Sequence, residues 1–161
     1  RNLLVAYGML ADVLGYRIGQ NLGDIAGAIA ALQRVVALAE AARVADPSDR
    51  RAPFDLASAQ LRLGSLLIDD GRPQEAEAVL RQARTHTTAL LAPDPRNDRV
   101  GYVDAVIAAR LGDALAATGR TGEAASELSR ARMSALPFLN GPTGPTVRQH
   151  LALTTARLAL L

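Results

Sequence analysis

Apolar and small residues recur along this chain at the i, i+3, i+4, i+7 spacing of one α-helical face. The pattern is clearest in residues 62–83, RLGSLLIDDGRPQEAEAVLRQA, and it returns in residues 110–131, RLGDALAATGRTGEAASELSRA. At this offset of 48 residues ten positions are identical, among them Arg62, Leu63, Gly64, Leu67, Gly71, Arg72, Ala76, Leu80 and Ala83. Leu63, Gly64 and Leu67 predict a helix face with a small residue at its centre. Ala76, Leu80 and Ala83 predict a second face. Between them Gly71-Arg72-Pro73 offers a glycine to end one helix and a proline to open the next. The unit is a helical hairpin, and repetition at such a period predicts a repeat architecture.

The rest of the chain follows the same unit. Shifted by 53 residues, Leu3, Ala6, Leu10, Ala11, Val13 and Leu14 meet Leu56, Ala59, Leu63, Gly64, Leu66 and Leu67, so a helix is expected over 1–14. A second is expected over 24–44, where Ala28, Leu32, Ala41, Asp46 and Pro47 return to the 48-residue offset against Ala76, Leu80, Ala89, Asp94 and Pro95. The change of offset puts a five-residue insertion in the loop 15–23, which holds Gly15, Tyr16, Gly19, Asn21 and Gly23. Asp24 suits an N-cap. Further helices are expected over 51–70, 73–91, 98–118 and 121–136, then a loop at 140–145 and a last helix over 146–161. Its Arg157-Leu158-Ala159 repeats Arg-Leu-Gly with Ala for Gly. One domain results, with repeats at about 1–47, 48–95 and 96–142 and a last helix in 143–161. It opens inside a helical pattern without Met, and is expected to be a piece of a longer polypeptide.

These residues resemble the tetratricopeptide repeat family, whose units carry Leu-Gly, a loop glycine, then Ala, a large apolar residue and Ala. Leu63-Gly64, Gly71, Ala76, Leu80 and Ala83 fit that order, as do Leu111-Gly112, Gly119, Ala124, Leu128 and Ala131. The chain departs from it where Gln60 and Ala108 replace the first helix's aromatic and Leu80 and Leu128 replace the second's. The period of 48 is also longer than the usual ~34. The chain is similar to long-helix arrays that follow the catalytic domain of some bacterial serine/threonine protein kinases. The resemblance implies an all-α, right-handed superhelix of about three and a half hairpins, roughly seven helices. It implies a non-catalytic protein–protein interaction module, the regulatory part of a cytoplasmic signalling protein, or an extracytoplasmic one if the parent is membrane-anchored. The alternative is a structural self-association domain, with the apolar end Leu158-Ala159-Leu160-Leu161 as the contact.

Composition narrows this further. Of 161 residues 49% are hydrophobic, mostly Ala and Leu, and only 3% are aromatic, which favours closely packed helices over strands. All 18 basic residues are arginine, yet the net charge is +2 and they are spread along the chain. A nucleic-acid partner would call for a clustered basic stripe with stacking aromatics. The absence of cysteine excludes disulfides and thiolate metal sites. No unbroken apolar run reaches the ~18 residues of a membrane span, so no membrane insertion is expected.

Candidate chemistry is sparse. His86 and His150 are the only histidines and neither sits in a catalytic pattern, so no catalytic residue, metal or cofactor is expected. Gly19 and Gly23 lack the preceding strand of a phosphate loop. The arginines offer more. Arg62, Arg110 and Arg157 each stand one residue before the Leu-Gly signature and share one face of successive first helices. By the resemblance that helix lines a concave groove. Ser58, Ser65, Val106 and Asp113 should lie nearby, with Val5, Met9 and Asp12 from the first repeat. Such a guanidinium ladder would hold an acidic peptide or a free carboxylate. In the simpler reading each arginine pairs locally, as Arg110 with Asp113 at i+3.

Overall fold

The computed structural model describes residues 2–15, 22–49, 51–140 and 144–161. Among these are seven α-helices and no strand: α1 (Asn2–Leu14), α2 (Ile25–Ala45), α3 (Ala52–Asp69), α4 (Pro73–Leu91), α5 (Asp98–Ala117), α6 (Thr121–Ala135) and α7 (Gly144–Leu158). A 3-10 turn at Leu136–Phe138 follows α6. The chain is an all-α solenoid of antiparallel hairpins. The last helix differs from expectation: it starts two residues early, because Pro145 fits a first turn that needs no N–H. Tyr16, Gly19 and Asn21 of the first loop, and Gly141, Pro142 and Thr143 of the last, lie outside the described residues.

Glycine ends the first helix of each complete hairpin. Gly71 and Gly119 have φ of 76° and 77°, a conformation glycine reaches without strain. Around Gly71 the Arg72 N–H donates to the Leu67 carbonyl (2.8 Å) and the Gly71 N–H to that of Ile68 (3.0 Å). Arg120 and Gly119 repeat both bonds to Leu115 and Ala116. These are Schellman closures. Gly23, 48 residues before Gly71, has φ of 72°, and the Asp24 N–H donates to the Leu14 carbonyl at 2.8 Å. That bond is the counterpart of Arg72 to Leu67, so the five inserted residues leave the closure intact. Asp24 then caps α2, accepting from the Gly27 N–H at 2.8 Å.

The Leu-Gly signature is a packing device. A Cβ on Gly64 would stand 2.6 Å from Leu80 Cγ, and one on Gly112 the same distance from Leu128 Cγ. Each leucine of a second helix is thus seated on bare backbone of the first. Leu80 and Leu128 are fully buried, as are Ala76 and Ala124. Burying a leucine stabilises by about 1.5–3 kcal/mol.

The odd helices form the inner row. The backbones of α3 and α5 approach closely, as do those of α5 and α7, whereas no backbone contact joins any two of α2, α4 and α6. A stack whose members crowd on one side curves toward that side. One core runs from Ala11 in α1 through Leu32, Leu66 and Leu80 to Leu111 in α5. A smaller one gathers Ala105, Ala135 and Val147 around Phe138. By length and composition α2 is apolar enough to cross a membrane, with an 18-residue window of mean hydropathy 1.5. Counting unbroken apolar residues missed it, because isolated polar residues interrupt the run. In this fold α2 packs between α1 and α3 and buries Ala28, Leu32, Val35 and Ala39 there.

Candidate ligand-binding cleft

The inner row is not evenly packed. No backbone contact joins α1 to α3, and a cleft of about 420 Å³ opens between them. Val5, Gly8 and Met9 of α1 form one wall, and Phe54, Ser58 and Arg62 of α3 the other. Buried Val35 of α2 contributes to the floor. At one end the Arg99 guanidinium lies over the Phe54 ring, 4.1 Å from its centroid, a cation–π contact. A wider hollow of about 930 Å³ continues past Phe54, Asp55 and Arg99 to the inter-repeat turns at Pro47 and Pro93.

The α1 sequence makes this wall by helical spacing. Tyr7, Ala11 and Leu14 turn to the core with α2. Val5, Met9 and Asp12, one sector over, turn to the cleft. Of these, Val5 is 56% and Met9 63% exposed, large apolar side chains left open to solvent on an inner surface.

Arg62 spans the cleft. Its guanidinium bonds the Asp12 carboxylate and donates to the Gly8 carbonyl at 3.2 Å. Gly8 admits it: a Cβ there would meet Arg62 Nη1 at 3.3 Å. Arg157 makes the matching bridge two junctions on, from α7 to Asp113 of α5, at 3.3 Å. Asp12 and Asp113 hold equivalent positions in their helices, and Ser65 is the third member of that set. Between α3 and α5 no carboxylate therefore stands in this place. Arg110 turns instead to Asp113 of its own helix, at 3.1 Å.

This bears directly on the predicted site. The structure brings Met9, Asp12, Ser58 and Arg62 together in the cleft. Arg110, Asp113 and Arg157 form a separate cluster on α5 and α7. Ser65 is 4% exposed, pressed into the close α3–α5 junction, and offers a ligand nothing. The ladder is also less free than expected, since Asp12 engages Arg62 and Asp113 engages both of the others. Burial raises the Asp113 carboxyl above its usual range, and the two guanidiniums oppose that rise. His150 is half-buried, its Nε2 3.3 Å from the Ala105 carbonyl and its ring edge-on to Tyr102. Burial lowers its pKa, as it does that of His86. Among the described residues no group of three or more histidines and carboxylates is placed to hold a metal. Sequence reasoning missed Phe54 and Arg99. The signal was present: Phe54 is one of two phenylalanines in an aromatic-poor chain.

Residues 57–83 match the family model described as Tetratricopeptide repeat. No curated protein and no solved structure matches the chain. The matched stretch holds the greater part of α3 and the first turns of α4, with Gly64 seated on Leu80 and the Gly71 closure between them. The α3–α4 hairpin, at residues 57–83, is thus similar to a tetratricopeptide repeat.

Proposed function

We propose that the chain is a non-catalytic module that binds a peptide or protein segment in the cleft between α1 and α3. A tetratricopeptide repeat supports a protein-interaction role. The observation that carries the finer reading is the exposure of Val5 and Met9 on the inner wall, facing Phe54 and Ser58. A ligand side chain of leucine, methionine or phenylalanine size would cover them, and apolar area so removed from water contributes about 25 cal/mol per Å². The Arg62–Asp12 bridge sets the polar end. A ligand carboxylate beside the apolar anchor can share Arg62 with Asp12, in a bond that salt screens.

Fluorescence anisotropy against a library of acidic peptides with one large apolar residue tests this. Met9→Asp should weaken binding at least tenfold, and Arg62→Ala should weaken it and flatten its salt dependence. Equal binding by the Met9→Asp variant rejects the cleft. A second reading, self-association through α7, draws on Leu153 (51% exposed) and Leu160 near the chain end. A sedimentation mass of one chain removes it.

A further inference from the structure

The inner-row arginines Arg62, Arg110 and Arg157 each find a carboxylate. Two arginines at the starts of inner helices do not. Arg99 lies in the first turn of α5, and Arg51, its equivalent 48 residues earlier, at the start of α3. Among the described residues neither guanidinium is bonded to a carboxylate. Both line the hollow beyond Phe54. The carboxylates of that hollow are engaged in their own turns: Asp49 accepts from the Arg51 N–H at 2.9 Å and Asp94 from Asn97 Nδ2 at 3.2 Å. Asp55 stands in the first turn of α3, where the helix dipole favours an acid.

Arg99 is the better placed of the two. It borders both the cleft and the hollow, and the Phe54 ring under its guanidinium holds it there. The ring covers one side of the cation and leaves N–H donors to meet an anion, with little side-chain freedom left to lose. Arg62 marks another point of the same cleft. It follows Phe54 by eight residues on α3, a rise of about 12 Å. The exposed Val5 and Met9 of the facing wall lie along this stretch. An extended peptide advances about 3.3 Å per residue and covers the distance in three to four.

We propose that the ligand of the cleft is an extended segment with two acidic residues three or four positions apart and its large apolar residue between them. One carboxylate shares Arg62 with Asp12, and the other is held by Arg99 on Phe54. This rests on the cleft as the binding site and adds a second charge position to it, which makes Arg99 a specificity-determining residue. Past Arg99 the segment leaves through the hollow beside Arg51.

The test uses short fluorescein-labelled Gly/Ser peptides that carry one leucine, a glutamate before it and a second glutamate stepped along the residues after it. Anisotropy should show the tightest binding with the glutamates three or four positions apart, at least fivefold tighter than with glutamine in the second place. Arg99→Gln should erase that difference while the melting temperature stays within a degree or two of the parent's. Arg99→Lys keeps the charge without the planar fork and should restore only part of it. Met9→Asp should weaken every peptide of the set. Binding that needs Met9 yet shows no preferred spacing, or a glutamate preference that survives Arg99→Gln, overturns this proposal alone. Binding indifferent to Met9→Asp, or none by any peptide, overturns the cleft reading and this proposal together.

Discussion

The junction between the first and second hairpins and the junction between the second and third use the same positions with opposite chemistry. On the inner side the first is open: α1 and α3 stand apart, bridged by Arg62 and Asp12 over a cleft. The second is closed: Ser65 replaces the aspartate and is buried, and the α3 and α5 backbones approach closely. On the outer side the order reverses. Val36, Val79, Ala39 and Leu56 serve the first junction, and their equivalents 48 residues on are Arg84, Glu127, Thr87 and Asp104. Arg84 Nη1 lies 2.7 Å from Glu127 Oε1, and Asp104 accepts from Thr87 at 2.6 Å and from Arg130 at 3.2 Å. A repeat fixes where two hairpins touch. It leaves open whether the contact is dry and tight or ionic and bridged, and the cleft arises where the inner contact is of the second kind.

The sharpest way to break the difference is at Asp104. Asp104→Ala removes a buried carboxylate and strands the Arg130 guanidinium and the Thr87 hydroxyl, and should cost about 2–3 kcal/mol in urea unfolding. The double variant Thr87→Ala with Asp104→Leu copies the first junction's Ala39 and Leu56. It should recover most of that loss, because well-packed apolar residues replace a buried ionic contact at little cost. A double variant no better than the single one would mean that the junctions differ in shape as well as chemistry.

Ser65→Asp attempts the reverse, installing the bridge residue in the closed junction. A larger charged side chain has no room there, and the variant should lose roughly 1–3 kcal/mol while α3 and α5 move apart. Full stability would show that the inner junction is open by choice of residue alone. Arg62→Ala acts on the open junction. Its ion pair is partly exposed, so stability should fall by no more than about 1 kcal/mol, with peptide binding the property that changes.

The smallest effect is a pH slope at the third junction. Burial lowers the pKa of His150, so the folded chain favours the neutral ring more than the unfolded chain does. Its contribution is complete above the ordinary histidine value of ~6.5 and is lost as pH falls below it toward the lowered one. His150→Gln should flatten the melting temperature over that range. Asp113 works in the opposite sense at lower pH. Its raised pKa means that stability declines as pH climbs from the ordinary carboxyl range through the raised value, and Asp113→Asn should remove that decline.

The amino-acid sequence by itself determined the hairpins. Helix boundaries, the glycine closures at Gly71 and Gly119, and the seating of Leu80 on Gly64 all follow from local spacing and from residues that repeat at one period. It also determined that Val5, Met9, Asp12, Ser58 and Arg62 share an inward sector, because helical periodicity sets sectors. Tertiary structure alone decided how far apart neighbouring inner helices stand. Ser65 and Asp12 look alike in a periodicity, yet one is buried between closely approaching backbones and the other stands at the edge of an open cleft. That outcome depends on side-chain volume and charge summed across a junction of two helices some fifty residues apart. It also decided which carboxylate each arginine finds, since Arg62 and Asp12 meet only when α3 is laid beside α1.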